Sequence, residues 1–145
     1  MREIKFRVYK KHTKEMKLDT EHFTVDDLNK KGFDVMQYTG LKDKNGVEIY
    51  EGDIISYLDA SHDYGEFGSA TRHAECKYSD ITGSFYFKCD DGDTRDYQNL
   101  INMQERWSKD SGQTASSPYR NGKLERSMLE IEVIGNIYQN PELLV

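Results

Sequence analysis

The sequence predicts a mainly β fold, with a small and strongly bent barrel and one or two short helices. Three stretches support this prediction. The first nine residues alternate apolar and polar side chains, residues 36–57 place two tight-turn signals between three short apolar segments, and residues 129–138 alternate again. Chain reversals this close together curl a sheet, so a closed or half-closed barrel is favoured over a flat open sheet.

The length and composition fit one folded domain of ordinary size. The chain has 145 residues, of which 36% are hydrophobic and 32% charged, and its 10 Tyr and 6 Phe provide aromatic mass that disordered chains usually lack. We predict an N-terminal hairpin and short helix over 1–34 and a barrel-like domain over 35–145. Its long loops would span about 59–72 and 104–126. The alternative is one compact unit.

The N-terminal part is predicted to be a β-hairpin followed by a helix. A turn over 10–14 would connect the first strand to a second strand over 15–18. Thr24, with Asp27 three residues later, resembles a capping box and predicts a helix over 25–31 that ends at Gly32. Alternation predicts that the first strand places Ile4, Phe6 and Val8 on the core and Lys5, Arg7 and Tyr9 in solvent.

The central stretch carries the two strongest turn signals. Asn45-Gly46 lies between two apolar segments, and this dipeptide readily adopts the positive φ angles of a hairpin turn. Gly52 is predicted to take a positive φ at a second corner, and Asp53 to accept hydrogen bonds from nearby amides. These four residues are therefore predicted to be structural.

The second half of the chain is predicted to contain another hairpin and a final strand. Residues 74–78 would pair with 85–89, 90–93 would be a polar turn, and 94–102 a short helix. A loop at Thr82-Gly83 would place Cys76 directly opposite Cys89, and we expect both to be buried thiols. The last strand would span 129–138, with its register disturbed at Gly135, before a docked apolar tail.

Three blocks of the sequence resemble the YopX family of phage and prophage proteins. They are the opening REIKFRVY, the central YTGLKDKNGVEIYEGDII and the ending EVIGNIYQNPELL. The resemblance implies a compact β-rich fold containing a Src-homology-3-like barrel. It implies no chemistry, because the biochemical function of the family is unestablished.

Catalytic and metal-binding signatures are missing from the sequence. It contains no Gly-x-Ser-x-Gly elbow, Walker loop, dinucleotide fingerprint or His-Glu-x-x-His motif. Asp90-Asp91-Gly92-Asp93 lacks the carboxylate that a calcium loop needs at its twelfth position, so a solvated turn is favoured. We therefore expect no enzyme, no metal and no cofactor. No apolar run approaches the ~20 residues that span a bilayer, and no signal-peptide core follows the charged start, so we expect a cytoplasmic protein of the host bacterial cell.

The charge distribution points to two binding modes. Residues 1–17 carry seven basic side chains against two acidic ones, a local charge of +5, whereas the whole chain carries −6 and the remainder therefore −11. Lys5, Arg7 and Tyr9 are the candidate partner-binding residues. We favour a homo-oligomer in which the basic hairpin docks on an acidic neighbour, or binding of an unidentified host or phage protein. The alternative is a nucleic-acid-associated regulator, and a plain solvated strand face remains the simplest interpretation.

Overall fold

The computed structural model of the protein describes residues 3–18, 24, 26, 31–59, 70–96, 119–120, 123–124 and 131–144. The elements that lie wholly within these ranges are eleven strands and one 3₁₀ helix. The predicted mainly β fold is confirmed. The elements are β1 (Phe6–Lys10), β2 (Glu15–Lys17), β3 (Phe33–Lys42), β4 (Glu48–Tyr50), β5 (Asp53–Asp59), β6 (Ala70–Ser79), β7 (Ser84–Cys89), β8 (Thr94–Arg95), β9 (Tyr119–Arg120), β10 (Lys123–Leu124), β11 (Glu132–Asn136) and η1 (Pro141–Leu144).

The first sheet has four antiparallel strands in the order β2-β1-β3-β4. β1 pairs with β2 through the turn at 11–14, where the sequence predicts a hairpin, and with β3 on its other side. The predicted boundary between residues 34 and 35 lies inside β3, so chain from both sides of it shares this sheet. The division into two units stays a prediction.

The predicted faces of the first strand are wrong in part. Val8 is buried as expected, but Ile4 is 67% exposed and Phe6 is 37% exposed. Arg7 and Tyr9, which were predicted to lie in solvent, are buried. The reason is that β1 is an inner strand whose Arg7 face packs on the second sheet and the C-terminal segment. Alternation identifies the buried face only when the other face is open to water.

The second sheet has five antiparallel strands in the order β11-β5-β6-β7-β8 and curls into a half barrel. The Src-homology-3-like detail of this barrel stays a prediction. The curled sheet encloses the main apolar core, because the side chains on its concave face meet one another. That core consists of Ile49, Ile55, Tyr57, Ala74, Cys76, Phe87, Cys89 and Ile131.

The pairing of β6 with β7 follows the predicted phase. Tyr78 pairs with Phe85, and further along Cys76 pairs with Phe87 and Ala74 with Cys89. The two cysteines are therefore offset by two residues, and the expectation that they lie directly opposite is wrong. The cause is the connection, which is a four-residue loop over 80–83 closed by the Ser79–Ser84 pair. Both cysteines are free and buried, as predicted.

Two tight turns lie on either side of β4. The first, over 43–47, joins β3 to β4, and the second, around Gly52, joins β4 to β5. Gly46 and Gly52 have φ angles of 82° and 80°, which confirms the predicted positive values. The backbone amide of Tyr50 donates to Asp53 Oδ2 at 2.7 Å, so the expected acceptor role of Asp53 is confirmed as well. This corner moves the chain from the first sheet to the second within a few residues.

The C-terminal segment closes one side of the second sheet. The register of β11 against β5 shifts between Val133 and Gly135, the place that the sequence predicts. After β11 the chain forms η1, which contacts β6. His73 Nδ1 lies 2.9 Å from the Leu143 carbonyl oxygen, and this distance requires that the ring donate from Nδ1. The apolar tail therefore docks on the body, as expected.

Several predicted segments differ from the structure or lie outside the described residues. Thr94–Arg95 is a strand, because it pairs with β7, so the start of the predicted helix over 94–102 is wrong. β6 begins at Ala70 within the predicted loop 59–72, and the β9–β10 hairpin lies within the predicted loop 104–126. Of the helix predicted over 25–31, the structure describes only residue 26, which is helical, and residue 31, which is in a turn. The remainder of both loops lies outside the described residues. No helix found in the described ranges has the length and apolar character needed to cross a membrane.

Candidate functional site

A cleft opens at the junction of four segments. They are β3, the corner before β5, the C-terminal half of β6 and the segment after β11. We call it the inter-sheet cleft, and its volume is about 210 Å³. Gly52 forms part of its floor, where a side chain would contact Ile137 and Met36. The cleft therefore lies at the junction of the two sheets. Its apolar and aromatic lining comes from Val35, Met36, Tyr78, Ile137 and Tyr138, and its charges from Glu51, Glu75 and Lys77.

A buried ion pair holds the corner that carries Glu51. Arg7 Nη2 lies 2.7 Å from Asp53 Oδ1, and both side chains are almost fully buried. The same nitrogen donates to the carbonyl oxygen of Glu51 at 3.1 Å, and the guanidinium lies 4.8 Å from the centre of the Tyr50 ring. Burial raises the pKa of Asp53, and the charge of Arg7 opposes this rise. The pair connects β1 to β5 and so fixes one wall of the cleft.

Glu51 is the carboxylate most affected by the cleft. It is half-buried, and loss of hydration raises its pKa above the ordinary value for Glu. The backbone amide of Gln37 opposes that rise, Asp80 and Glu75 add to it, and Lys77 counteracts it. Within the described residues Glu51 makes no ion pair within 4.0 Å. The cleft thus holds a partly dehydrated negative charge without a direct cationic partner.

The second cleft carboxylate is in a different situation. Glu75 Oε1 lies 3.4 Å from the Nζ of Lys77, two residues along the same strand. Side chains two residues apart share one face of a strand, so this contact is a property of β6 itself. Lys77 therefore largely neutralises Glu75, and the net negative charge of the cleft is centred on Glu51.

Two tyrosines at the cleft differ in their ring contacts. Tyr138 stacks on Tyr9 with ring centroids 4.3 Å apart, and burial together with Asp34 raises the pKa of its phenol. Tyr78 is 40% exposed and packs edge-on against Phe85, at 5.2 Å between centroids. Tyr138 is therefore stacked within the cleft wall, whereas Tyr78 presents part of its ring to solvent, where a partner can contact it.

The structure does not bring together the predicted partner-binding residues on one surface. Lys5 Nζ lies 2.6 Å from Glu48 Oε1 and 3.1 Å from Glu3 Oε1, and its hydrogen bond with Glu48 raises its pKa. Arg7 and Tyr9 lie two and four residues further along and share the face that carries Lys5, but both are buried. A platform in solvent made by all three side chains is therefore wrong. The reason is again that the Arg7 face of β1 packs on the second sheet and the C-terminal segment.

The turn residues fall into two places. Asn45 and Gly46 lie in the β3–β4 turn, where Asp43 organises the backbone, away from the residues that line the cleft. Gly52 lines the cleft, and Asp53 supports it through the ion pair with Arg7. One of the two predicted corners thus belongs to the candidate site.

Sequence reasoning missed the residues that define the cleft. Glu51 was read as part of a turn, and Tyr78 as one member of an alternating strand. The local signals were a carboxylate immediately before a turn glycine and a tyrosine near the end of a strand, and neither identifies a site without knowledge of the fold. Within the described ranges, no group of three or more His, Cys, Asp or Glu side chains is arranged to hold a metal ion.

A model of the YopX family, described as YopX protein, matches residues 7–145. The chain belongs to the YopX family. A significant match to a curated protein is not found. Among solved structures, this YopX chain is similar to the crystal structure of protein EF1440 from Enterococcus faecalis, with 28% sequence identity, a TM-score of 0.54 and 100% of each chain covered. The similarity therefore extends over the whole length of both chains.

Proposed function

We propose that this YopX chain is a non-catalytic accessory protein of a phage or prophage that acts by binding protein in the cytoplasm of the host bacterial cell. Its binding site in this proposal is the inter-sheet cleft. The partner is a second copy of the chain or another protein of phage or host. Family membership supports the phage setting. The free, buried thiols of Cys76 and Cys89 fit a reducing compartment.

The observation that carries this proposal is the combination of Tyr78 and Glu51 in one cleft. An exposed tyrosine ring offers contact area at a small cost in side-chain entropy, and aromatic residues are enriched in protein interfaces. Glu51 adds a carboxylate that has already lost part of its hydration. A cationic group of a partner would replace that lost hydration with a charge-assisted hydrogen bond. Such a surface favours a partner with basic and apolar side chains.

The charged groups around the cleft support a binding role over catalysis. Glu75 is neutralised by Lys77, and Asp53 is held by Arg7. Acid–base catalysis by two carboxylates needs two groups that can both reach a substrate with separated pKa values. These four charged groups already pair with one another, which leaves Glu51 as the cleft-lining carboxylate suited to pair with a partner.

Nucleic-acid binding through the N-terminal hairpin is the weaker candidate. Two of the three residues that suggested a single-strand platform, Arg7 and Tyr9, are buried. The exposed cations of the hairpin are Lys11, Lys14 and Lys17, and Lys11 lies 2.8 Å from Asp34. Binding would therefore depend on few phosphate contacts and would have to overcome the repulsion of a chain with net charge −6.

Site-specific photo-crosslinking tests the proposal. Tyr78 is replaced by the photoreactive residue p-benzoylphenylalanine in cells that carry the phage, and Val47, which is 47% exposed but does not line the cleft, is the matched control position. We expect a crosslinked protein product from position 78 and none from position 47. Crosslinking to nucleic acid, equal products at both positions, or no product from position 78 would contradict the proposal.

A further inference from the structure

Two exposed cations of the N-terminal hairpin make no ion pair with any residue that the structure describes. We call Lys14 and Lys17 the hairpin lysines: both are exposed, one in the turn before β2 and one at the end of β2. Within the part of the chain that the structure describes, neither lysine makes an ion pair, whereas Lys11 pairs with Asp34 and Lys5 with Glu48. Among the described residues, the hairpin therefore presents two lysines that make no ion pair.

The cleft presents negative charge that also has no ion-pair partner among the described residues. We call two carboxylates the cleft acids: Glu51, which lines the cleft, and Asp80, which lies two residues beyond the lining residue Tyr78. Asp80 is exposed in the β6–β7 loop and is close enough to Glu51 to raise the pKa of that carboxyl group. Neither of these carboxylates makes an ion pair within 4.0 Å with any cation in the described ranges. The hairpin lysines of the same chain thus leave the cleft acids unpaired.

The position of the hairpin gives it access to a neighbouring copy. Its turn end adjoins the cleft, since Tyr9, two residues before the turn, stacks on Tyr138 of the cleft wall. Its turn is exposed, with every residue from Lys11 to Glu15 open to solvent. A surface that carries a basic projection beside an acidic cleft is complementary to a copy of itself rotated by 180°. A two-fold arrangement then forms the same contact twice.

We propose that the hairpin lysines of one copy dock on the cleft acids of a second copy, and reciprocally, so that the protein is a symmetric homodimer. This inference rests on the proposed function, because it names the occupant of the inter-sheet cleft. The hairpin lysines supply the cationic groups, and Tyr78 covers the side of the contact. Oppositely charged patches guide such an association and determine its register.

A charge-swap experiment tests this pairing by sedimentation velocity. The hairpin variant is Lys14→Glu with Lys17→Glu, and the cleft variant is Glu51→Lys with Asp80→Lys. Each variant alone faces like charges in both contacts of the dimer, so we expect its dimer dissociation constant to rise on the order of 100-fold. In an equimolar mixture each mixed dimer regains two complementary contacts. We therefore expect a heterodimer of near wild-type affinity in the mixture alone.

Two controls keep the test decisive. The melting temperature of each variant is measured first, and Asp80→Lys alone, at an exposed loop position, replaces the cleft variant if the double variant fails to fold. The wild-type dimer should dissociate as NaCl is raised from about 0.1 M to about 1 M, because the Debye length falls from about 10 Å to about 3 Å. Lys42→Glu, an exposed position on β3 outside the cleft, should leave the dimer unchanged.

The outcomes separate this inference from the proposed function. The inference is overturned if the wild-type protein is monomeric at roughly 100 μM, a concentration above the dissociation constants of most specific dimers. It is also overturned if neither variant raises the dimer dissociation constant, or if the equimolar mixture forms no heterodimer. If position 78 nevertheless crosslinks to a different protein, the proposed function stands without the homodimer. A dimer that recovers in the mixture supports both.

Discussion

At the scale of single residues, the most consequential contact is the ion pair between Arg7 and Asp53. Taking two charges out of water is costly, and the mutual attraction of a buried pair offsets this cost when the geometry is good and further hydrogen bonds are made. Asp53 gains such a bond from the amide of Tyr50, and Arg7 donates to the carbonyl oxygen of Glu51. The pair is therefore an organiser of the corner, and removal of one member leaves the other charged and buried.

We expect Arg7→Ala to lower the free energy of unfolding by about 3–5 kcal/mol, because Asp53 would remain buried without its cation. Urea denaturation followed by circular dichroism measures this loss. Lys42→Ala, at an exposed position of the same sheet, is the control and should change stability by less than about 0.5 kcal/mol. Similar losses for the two variants would mean that the ion pair does not organise the corner.

Glu51 predicts a pH dependence of stability with a definite sign. Burial raises its pKa in the folded protein, so the folded state binds the proton more tightly than the unfolded chain does. Folding is therefore favoured as the pH falls toward the unfolded value of 4.5, and this contribution is lost as the pH rises through the folded pKa. The facing charges Asp80, Glu75 and Lys77 modify the size of this effect.

We expect Glu51→Gln to be more stable than the wild type at neutral pH, and the difference to disappear once Glu51 is protonated in both states, below its unfolded pKa of 4.5. Thermal unfolding of dilute protein at a series of pH values measures the difference. Subtracting the two curves removes titrations common to both proteins. A difference that grows as the pH falls would have the wrong sign for this mechanism.

At the scale of elements, the β3–β4 turn is stabilised by one buried carboxylate. Asp43 Oδ1 accepts hydrogen bonds from the backbone amides of Asn45 and Val47, each at 2.8 Å, and Oδ2 accepts from the amide of Val133 at 3.0 Å. The last bond crosses from the turn to β11. Asp43 therefore closes the hairpin and also covers the outer edge of the second sheet, which is otherwise a site for unwanted strand pairing.

We expect Asp43→Ala to destabilise the protein by about 2 kcal/mol or more, because three backbone amides lose their acceptor and the change leaves a gap at a buried position. Asp43→Asn keeps one carbonyl oxygen and should lose about half as much. Chemical denaturation of both variants gives the values. Equal stabilities for Asp43→Ala and the wild type would refute the role of this side chain as a clamp between the sheets.

The two turn glycines predict a matched set of substitutions. Gly46 and Gly52 have positive φ angles, which an L side chain adopts at a cost of about 1 kcal/mol. A Cβ at Gly46 meets no atom within 4 Å, and at Gly52 its nearest contacts are ordinary ones at 3.5 Å, so the backbone conformation governs both positions. We expect Gly46→Ala and Gly52→Ala to lose about 1 kcal/mol each.

Gly32→Ala is the control for this pair, because its φ is not positive and space around it is open. We expect it to be neutral or slightly stabilising, since alanine reduces the entropy of the unfolded chain. Melting temperatures of the three variants report the differences. A loss at Gly32 equal to that at Gly46 would show that the turn conformations do not decide the effect.

At the scale of the whole molecule, the two cysteines report on the integrity of the core. Cys76 and Cys89 are buried in the half barrel, and burial raises the pKa of the Cys76 thiol. A thiol reacts as its thiolate, so burial suppresses both access and reactivity. We expect Ellman's reagent to leave the thiols of the native protein unmodified and to titrate two thiols per chain in denaturant. Rapid reaction of one thiol without denaturant would mean that part of the core opens locally.

Whether a structural feature of this protein could be predicted from the sequence depends on how far apart its interacting residues lie along the chain. The strand-rich class, the hairpins at 11–14 and 43–47, the corner at Gly52 and the phase of β6 against β7 were predictable. Each depends on residues that are close in the chain, because turn conformation and side-chain alternation are local properties of the backbone. The YopX resemblance, carried by short blocks of sequence, was predictable for the same reason.

The tertiary structure alone decided which charges face water. Arg7 and Lys5 have the same charge and lie two residues apart, yet Arg7 is buried against Asp53 while Lys5, just before β1, pairs with Glu48 near the surface. The inter-sheet cleft likewise combines Glu51 with Tyr78 and Tyr138 from separate parts of the chain. Burial and ion pairing depend on which distant segments pack together, and no local pattern in the sequence encodes that packing.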